Sequence, residues 1–177
     1  MEKSHFILKN EYDTINFGLT LSEVIGSSGL CVYLNGDMGA GKTTLSRGII
    51  RGYGYEGAVK SPTYTIVEPY ELNYRGKTRA VYHFDFYRLS QPAEVEFLGL
   101  ENYFSESSLC LIEWPERGKD YIPKPDIKLY LCDSFEIYES VDKKDQIYHR
   151  SISFEASSDH GKKILIRAEK LLQPFLK

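Results

Sequence analysis

The chain has 177 residues, of which 42% are hydrophobic and 27% are charged, and its formal net charge at pH 7 is −3. We expect one globular domain over residues 1–177, in the cytoplasm and with no membrane contact, because no apolar run reaches membrane-spanning length and the first residues lack the apolar core of a signal peptide. The acidic balance argues against a protein that grips nucleic acid by itself, because affinity for the phosphate backbone requires a surplus of Lys and Arg. Three cysteines without metal-ligand spacing (Cys31, Cys110 and Cys132) are predicted to be buried free thiols in a reducing cytosol.

The first half of the chain alternates between helical and strand-like patterns. Apolar residues predict a helix over 14–25, followed by a short strand over 30–34 that is covered on both faces. A glycine-rich turn comes next, and residues 42–51 have the pattern of a second helix. β-branched and aromatic residues then predict strands over 64–72 and 79–87, joined by a hairpin turn.

The second half adds another buried strand and the elements around it. Ser90 can cap a helix with Pro92 in its first turn, running towards Phe104. An apolar run over 109–112 predicts a buried strand that ends on Glu113. Further strands are expected near 127–131, 134–138 and 148–154, before a C-terminal helix over 162–175. Together these elements predict an α/β fold, a mixed sheet with a parallel centre and antiparallel edge strands, flanked by helices.

A glycine-rich loop between the first strand and the second helix fits the phosphate-binding pattern G-x-x-x-x-G-K-[ST]. Glycines let the backbone curl so that its N–H groups point at phosphate oxygens, and the helix that follows adds the partial positive charge of its N-terminus. Lys42 is placed to reach the β- and γ-phosphates, Thr43 can offer its hydroxyl to Mg²⁺, and Thr44 can contact phosphate from the first helical turn. The predicted nucleotide-binding residues of this loop are Gly36, Asp37, Met38, Gly39, Ala40, Gly41, Lys42, Thr43 and Thr44.

Two acidic residues are candidates for supporting hydrolysis, which needs a carboxylate near the metal. Glu113 ends a buried strand, and open α/β sheets bind ligands at that edge, so we expect it to hold Mg²⁺; a purely local cap or ion pair is the alternative. Strand alternation puts His83, Asp85 and Tyr87 on one face, which could meet either a nucleotide or solvent. A lone histidine such as His83 is more often a surface or core residue than a catalyst.

A Ser-Pro-Thr-Tyr-Thr segment at 61–65 follows the second helix after a short connection. A segment in that position could sense the γ-phosphate, with Ser61, Thr63 and Thr65 as its candidate residues. The alternative is a plain turn into an edge strand, which the Ser-Pro start also favours.

In this order, these pieces resemble the TsaE family. The residues that carry the resemblance are Gly36-Asp-Met-Gly-Ala-Gly-Lys-Thr-Thr44, Lys60-Ser-Pro-Thr-Tyr-Thr65, Val67-Glu-Pro-Tyr70, His83-Phe-Asp-Phe-Tyr-Arg88 and Leu111-Ile-Glu-Trp-Pro115. They fall in the first two thirds of the chain, and the Ser-Pro-Thr-Tyr-Thr and His-Phe-Asp-x-Tyr-Arg segments are more distinctive than the phosphate loop.

The resemblance implies a P-loop NTPase-like fold and an ATPase that uses ATP and Mg²⁺. It also implies TsaB and TsaD as partners, the pair that transfers threonylcarbamoyl to the adenosine next to the anticodon of ANN-decoding tRNAs and holds most of the tRNA. Carried onto this chain, the family's roles are phosphate binding for Lys42, Mg²⁺ binding for Thr43 and Glu113, and support of hydrolysis for Asp85. Trp114 is expected beside the metal acid. The family also implies a switch at Ser61, Thr63 and Thr65, and adenine contacts from the segment near Glu11 and from a late strand. The stretch 134–163 is longer and more charged than the family pattern, and Glu139, Asp142, Lys143, Lys144 and Asp145 are expected to form a polar hairpin or loop there.

Two other functional classes fit the phosphate loop. A small-molecule or nucleoside kinase could use Asp85 to bind an acceptor hydroxyl, with Arg75, Lys77 and Arg79 as a sparse lid. A nucleotide-dependent interaction module would bind the nucleotide and hydrolyse little of it. Phosphate release, with and without partners, separates the ATPase from both.

Overall fold

A computed structural model describes residues 3–140 and 143–175, with side chains at 4–133 and 149–175. Seven strands in these residues form one sheet in the spatial order β1-β7-β6-β2-β5-β4-β3. In chain order they are β1 (Lys3–Leu8), β2 (Leu30–Asn35), β3 (Val67–Tyr74), β4 (Lys77–Asp85), β5 (Leu109–Glu113), β6 (Ile127–Ser140) and β7 (Lys143–Ala156). The central strands β6, β2, β5 and β4 are parallel, whereas β1, β7 and β3 pair antiparallel to their neighbours. This confirms the predicted mixed sheet.

Three α-helices pack on one face of the sheet: α1 (Glu11–Ile25), α2 (Lys42–Gly52) and α3 (Asp159–Leu171). Alternate residues of the central strands face them, including Val32, Leu34 and Leu111, all of which are fully buried. The opposite face of β4 and β5 carries Phe84 and Ile112, which pack in a second cluster. Because α2 begins directly after the glycine-rich loop, the helix-covered face of the sheet carries the predicted nucleotide-binding residues.

Helices α1 and α2 approach each other closely through Gly18 and Gly48. A Cβ atom added at Gly48 would lie 2.5 Å from the carbonyl oxygen of Ile15 and 3.1 Å from the Cα of Gly18. The close contact therefore requires glycine, and it fixes the position of α2 and of the loop that precedes it.

The structure corrects several predicted boundaries. Helix α1 starts at Glu11 because the side chain of Asn10 caps it, accepting a hydrogen bond from Asp13 N at 2.9 Å. The helix predicted from Ser90 to Phe104 is instead two short 3₁₀ helices, Pro92–Leu98 and Leu100–Asn102, because Gly99 adopts a left-handed conformation between them. The predicted strands 127–131 and 134–138 are parts of the continuous strand β6.

Other features of the chain had no clear sequence signal or lie outside the described residues. Strand β1 was not predicted. The charged stretch after 134 forms the β6–β7 hairpin, in which Ser140 pairs with Lys143, and Asp142 lies outside the described residues. Cys31 and Cys110 are buried free thiols as predicted, but Cys132 is exposed, because strand alternation turns it away from the helix-side core that contains Leu129 and Leu131. In the part of the chain that the structure describes, no helix combines the length and the apolar character needed to cross a bilayer.

Candidate functional site

The carboxyl ends of β4 and β5, the start of α2 and the 61–66 segment meet around a cavity of about 370 Å³. Parallel strands end at the same edge of a sheet, which explains why residues distant in sequence converge here. The residues that line it are Met38, Gly39, Gly41, Lys42, Thr43, Thr44, Ser61, Thr63, Asp85, Tyr87, Glu113 and Trp114. The cavity thus brings the glycine-rich loop together with both predicted acids and two of the three predicted switch residues.

The glycine-rich loop leaves the N-terminus of α2 open towards the cavity. Gly41, the residue before the helix, has a φ of 100°, a left-handed conformation that favours glycine, and no side chain caps the helix there. The first turn contains no acidic residue. Its N–H groups and the positive end of the helix dipole therefore form a site suited to an anion such as a phosphate group.

Lys42 lies at the base of the cavity and is only 4% exposed. Its Nζ donates hydrogen bonds to the carbonyl oxygens of Gly36 at 2.6 Å and Asp37 at 2.8 Å, and it lies 4.0 Å from the ring centroid of Trp114. Burial lowers the pKa of Lys42 from its ordinary value, while the charge of Glu113 opposes that shift. The ammonium group is held by backbone carbonyls and an aromatic face, contacts that an incoming phosphate can replace.

Glu113 links the loop to the sheet. Its carboxylate, 3% exposed, accepts hydrogen bonds from Thr43 Oγ1, with Oε1 at 2.9 Å and Oε2 at 3.2 Å. Its Oε1 also lies 2.7 Å from Nε2 of His83, which is fully buried. The side chain therefore faces the loop and does not merely form a local cap.

The carboxylate of Asp85 accepts three hydrogen bonds, two of which hold the 61–66 segment. Its Oδ2 accepts from Ser61 Oγ at 2.7 Å and from Thr63 Oγ1 at 2.5 Å, and its Oδ1 accepts from the N–H of Tyr87 at 3.0 Å. The backbone N–H of Asp85 also donates to the carbonyl oxygen of Ile66 at 2.9 Å. Asp85 is 3% exposed and lines the cavity. Of the two orientations that strand alternation allowed, the structure therefore shows the one towards the cavity and not the one towards solvent.

Strain is concentrated at the end of this segment. Ile66 has a φ of 67°, a left-handed conformation that is unfavourable for a β-branched residue by about 1–3 kcal/mol. Its N–H donates to the carbonyl oxygen of Pro62 at 2.6 Å, which closes a turn. The segment is thus held in a conformation that the chain would not adopt without these contacts.

The donor set fits Mg²⁺ bound together with phosphate. Among the described residues, no group of three or more His, Cys, Asp or Glu side chains could hold a metal ion alone. The hydroxyl of Thr43 and the carboxylate of Glu113, in contact at 2.9 Å, provide hard oxygen ligands. Mg²⁺ characteristically uses one or two protein oxygens and takes its other ligands from phosphates and water.

Five predicted residues are not among those that line the main cavity, namely Glu11, Gly36, Asp37, Ala40 and Thr65. Glu11 forms an ion pair with Arg47 at 3.0 Å and lines a separate groove of about 170 Å³ with Arg150 and other residues. This groove lies beside the loop, because a Cβ atom added at Gly41 would be 3.1 Å from Arg150 Nε. Thr65 is exposed and lines another groove next to the 61–66 segment.

Sequence reasoning gave no role to three residues that the structure places at or beside the site. His83 contacts Glu113, Tyr87 packs against Trp114 with ring centroids 5.0 Å apart, and Arg150 reaches the loop from β7. The alternation His-x-Asp-x-Tyr in β4 was a usable signal for the first two. No local pattern marks Arg150, because its proximity to the loop follows from sheet order alone.

Comparison with known proteins places these observations in a family context. A family model described as threonylcarbamoyl adenosine biosynthesis protein TsaE matches residues 8–149. A Haemophilus influenzae protein named tRNA threonylcarbamoyladenosine biosynthesis protein TsaE is 41% identical over 169 residues, covering 93% of this chain and 97% of the relative. A Rickettsia bellii protein of the same name is 37% identical over 132 residues, covering 74% and 88%. The crystal structure of Bacillus subtilis YdiB shares the fold, with a TM-score of 0.67 and 24% identity over 96% of this chain and 95% of that one.

Proposed function

The chain belongs to the TsaE family, and from that premise we propose that it binds and hydrolyses ATP with Mg²⁺ as a helper of a TsaB–TsaD pair. In this role it serves threonylcarbamoylation of the adenosine next to the anticodon in ANN-decoding tRNAs. The observation that carries the proposal is the convergence of Lys42, Thr43, Glu113 and Asp85 on one cavity at the N-terminus of α2.

Nucleotide binding would use the glycine-rich loop. The β- and γ-phosphates would accept hydrogen bonds from the N–H groups of the first turn of α2 and from Lys42, which would leave the carbonyl groups of Gly36 and Asp37. Thr43 and Glu113 would hold Mg²⁺. The ion supplies neutralisation of the charge that develops on the phosphate oxygens.

Hydrolysis would depend on the 61–66 segment and on Asp85. The hydroxyls of Ser61 and Thr63 are held by Asp85 at the cavity, where a γ-phosphate and the attacking water would lie. We assign to Asp85 the role of placing this segment, and through it the water, in line with the bond that breaks. ADP and phosphate are the products.

The groove lined by Glu11 and Arg150 is our candidate site for the base. It lies next to Gly41, on the side of the loop away from β4 and β5. The guanidinium group of Arg150, which lines this groove, could stack on an adenine ring. The role of Glu11 would then include holding Arg47 at the margin of the groove.

The net charge of −3 supports a division of labour in which the partners hold the tRNA. In this proposal TsaD carries out the transfer, and ATP hydrolysis by this chain resets the complex between turnovers. The proposal is for a cytoplasmic protein without membrane contact, as the sequence predicts.

The arrangement of β4 argues against the kinase alternative. Arg75 and Lys77 lie at the hairpin end of β4, roughly 26 Å along the strand from Asp85. Arg79 is buried and donates to the carbonyl oxygens of Ser27, Ser28 and Ser107, so it cannot act as a mobile lid residue. The acceptor role for Asp85 would also compete with its three existing hydrogen bonds.

The test measures nucleotide binding and phosphate release in parallel. Trp114 is the one tryptophan of the chain and contacts Lys42, so its fluorescence should change when Mg·ATP or Mg·ADP binds. Phosphate release from Mg·ATP is then followed with the protein alone and with TsaB and TsaD added. Stimulation by the pair that is lost in Glu113→Gln supports the proposal. Binding without hydrolysis under both conditions contradicts it and favours a passive module, whereas phosphate transfer to an added acceptor favours a kinase.

A further inference from the structure

His83, which forms a buried pair with Glu113, has no assigned role in binding or hydrolysis. His83 is 0% exposed, and its Nε2 lies 2.7 Å from Glu113 Oε1. A carboxylate is an acceptor, so this contact requires the imidazole proton on Nε2. Among the described residues, Nδ1 of the same ring has no hydrogen-bond partner. The ring therefore makes one directed hydrogen bond, and that bond goes to Glu113.

We infer that His83 is a positioning residue, which holds the carboxylate of Glu113 in the orientation that binds Mg²⁺. The inference rests on the proposed function, in which Glu113 and Thr43 hold the ion. His83 does not touch the nucleotide in this proposal, and it acts only through Glu113.

The sheet register explains how the two side chains meet. β4 and β5 are parallel, with Asp85 opposite Glu113 and His83 opposite Leu111. His83 therefore lies one side-chain layer below Glu113 on the face that carries α2, and its ring reaches the carboxylate from within the core. Because the ring is fully buried, it provides a rigid support that solvent cannot displace.

The contacts of Glu113 divide between its two oxygens. Oε1 accepts from His83 at 2.7 Å and from Thr43 at 2.9 Å, whereas Oε2 has the longer contact with Thr43 at 3.2 Å. With Oε1 anchored by His83, Oε2 has the weaker contact among the described residues and is the oxygen more available to a metal ion. A side chain that donates to a metal-binding carboxylate orients it, and loss of such a donor typically lowers metal affinity about 10- to 100-fold.

A second reason for the pair is burial of charge. Glu113 is 3% exposed, and a carboxylate removed from water requires hydrogen-bond donors. If the Thr43 hydroxyl turned towards Mg²⁺, His83 would still donate to Oε1. Glu113 would therefore keep one hydrogen-bond donor while it exchanges its contact with Thr43 for a contact with the ion.

Two variants of the same chemical type test the inference. In His83→Gln the amide N–H can reach the position of Nε2, whereas in His83→Asn the shorter amide reaches only the position of Nδ1. ADP affinity is measured by Trp114 fluorescence in EDTA and in Mg²⁺, and the ratio of the two affinities reports metal binding without any hydrolysis. Urea unfolding of each variant controls for the fold.

We expect His83→Asn to reduce the Mg²⁺-dependent gain in ADP affinity by about tenfold or more, with affinity in EDTA unchanged, and His83→Gln to restore most of that gain. An asparagine variant with the full gain, or equal losses in both variants, would overturn the inference. If Asn prevents folding, His83→Leu compared with Gln gives the same contrast. Glu113→Gln separates the two proposals: if it keeps the full gain, the metal assignment itself is wrong, and His83 has no carboxylate to position.

Discussion

Removing the carboxylate of Asp85 should release the 61–66 segment without disturbing the glycine-rich loop. Asp85 accepts hydrogen bonds from Ser61 at 2.7 Å and from Thr63 at 2.5 Å, and the segment also carries the strained residue Ile66. Hydrogen bonds to a charged group contribute about 1.5–3 kcal/mol when buried, but released hydroxyls can bind water, so we take about 1–1.5 kcal/mol for each. Loss of both, in Asp85→Ala, should destabilise the closed segment by about 2–3 kcal/mol and raise its open population about 30- to 150-fold.

Amide hydrogen exchange, read by mass spectrometry on peptides that contain Ile66, measures this opening directly. Thr65→Ala is the matched control, because Thr65 is exposed and lies in the same segment without a hydrogen bond to Asp85. ADP affinity should stay within a few-fold of the parent in both variants. Unchanged exchange in Asp85→Ala, with ADP binding intact, would refute the view that Asp85 holds the segment. If Asp85→Ala unfolds the protein, the double variant Ser61→Ala with Thr63→Ala removes the same two bonds from the other side.

Three further predictions concern thiols, pH and packing. Ellman's reagent should react quickly with Cys132 alone in the native protein. Burial shields Cys31 and Cys110 and raises the pKa values of both thiols, that of Cys110 to about 12. Fast reaction of a second thiol would contradict this assignment. ADP affinity in EDTA should fall as the pH rises through the lowered pKa of Lys42, since phosphate favours the charged ammonium, and a Lys42→Ala variant should lose this dependence. Gly48→Ala should lower the free energy of unfolding by about 1–3 kcal/mol in urea titrations, because its methyl group would press on the backbone of α1; an unchanged midpoint would show that α1 and α2 can separate freely.

Local sequence patterns predicted the elements that carry the phosphate loop. The strand before it, the helix after it and the strand that ends on Glu113 were predicted within two residues of their observed limits, because each is a short apolar run bounded by turn residues. The pairing of β1 with β7 was not predictable in the same way. Its register joins Phe6 to Ile152, and no local pattern reports a contact over that separation.

The helix predicted after Ser90 failed for a local reason that the sequence does contain. Gln91 and Glu94 form a capping box there, so the start of the element was close to correct. Gly99, with a φ of 61°, then ends the first 3₁₀ helix after seven residues. Helix propensity in the 92–104 stretch was overruled by this glycine and by packing of the apolar side chains against Phe84 and Phe86.

At the site, the sequence indicated which residues gather but not how they are connected. Alternation in β4 placed His83 and Asp85 on one face, and the structure shows why that face is polar while buried: each side chain has a partner from another element. The partner of Asp85 comes from the 61–66 segment, and the partner of His83 comes from β5. Such pairings depend on strand order and register, which a single sequence does not contain.

Strand order also explains why two acids at neighbouring strand ends have different partners. Asp85 and Glu113 are register partners at the ends of β4 and β5, yet β5 lies next to β2 and the loop, whereas β4 lies one strand further away. Glu113 therefore contacts Thr43, and Asp85 contacts the segment that crosses its strand end. The two carboxylates are not interchangeable, because each is matched to partners that only its own strand position provides. Shortening Glu113 to Asp would withdraw it from Thr43 and His83 together, whereas lengthening Asp85 to Glu would push against Ser61 and Thr63, so the first change should weaken metal binding and the second should displace the segment.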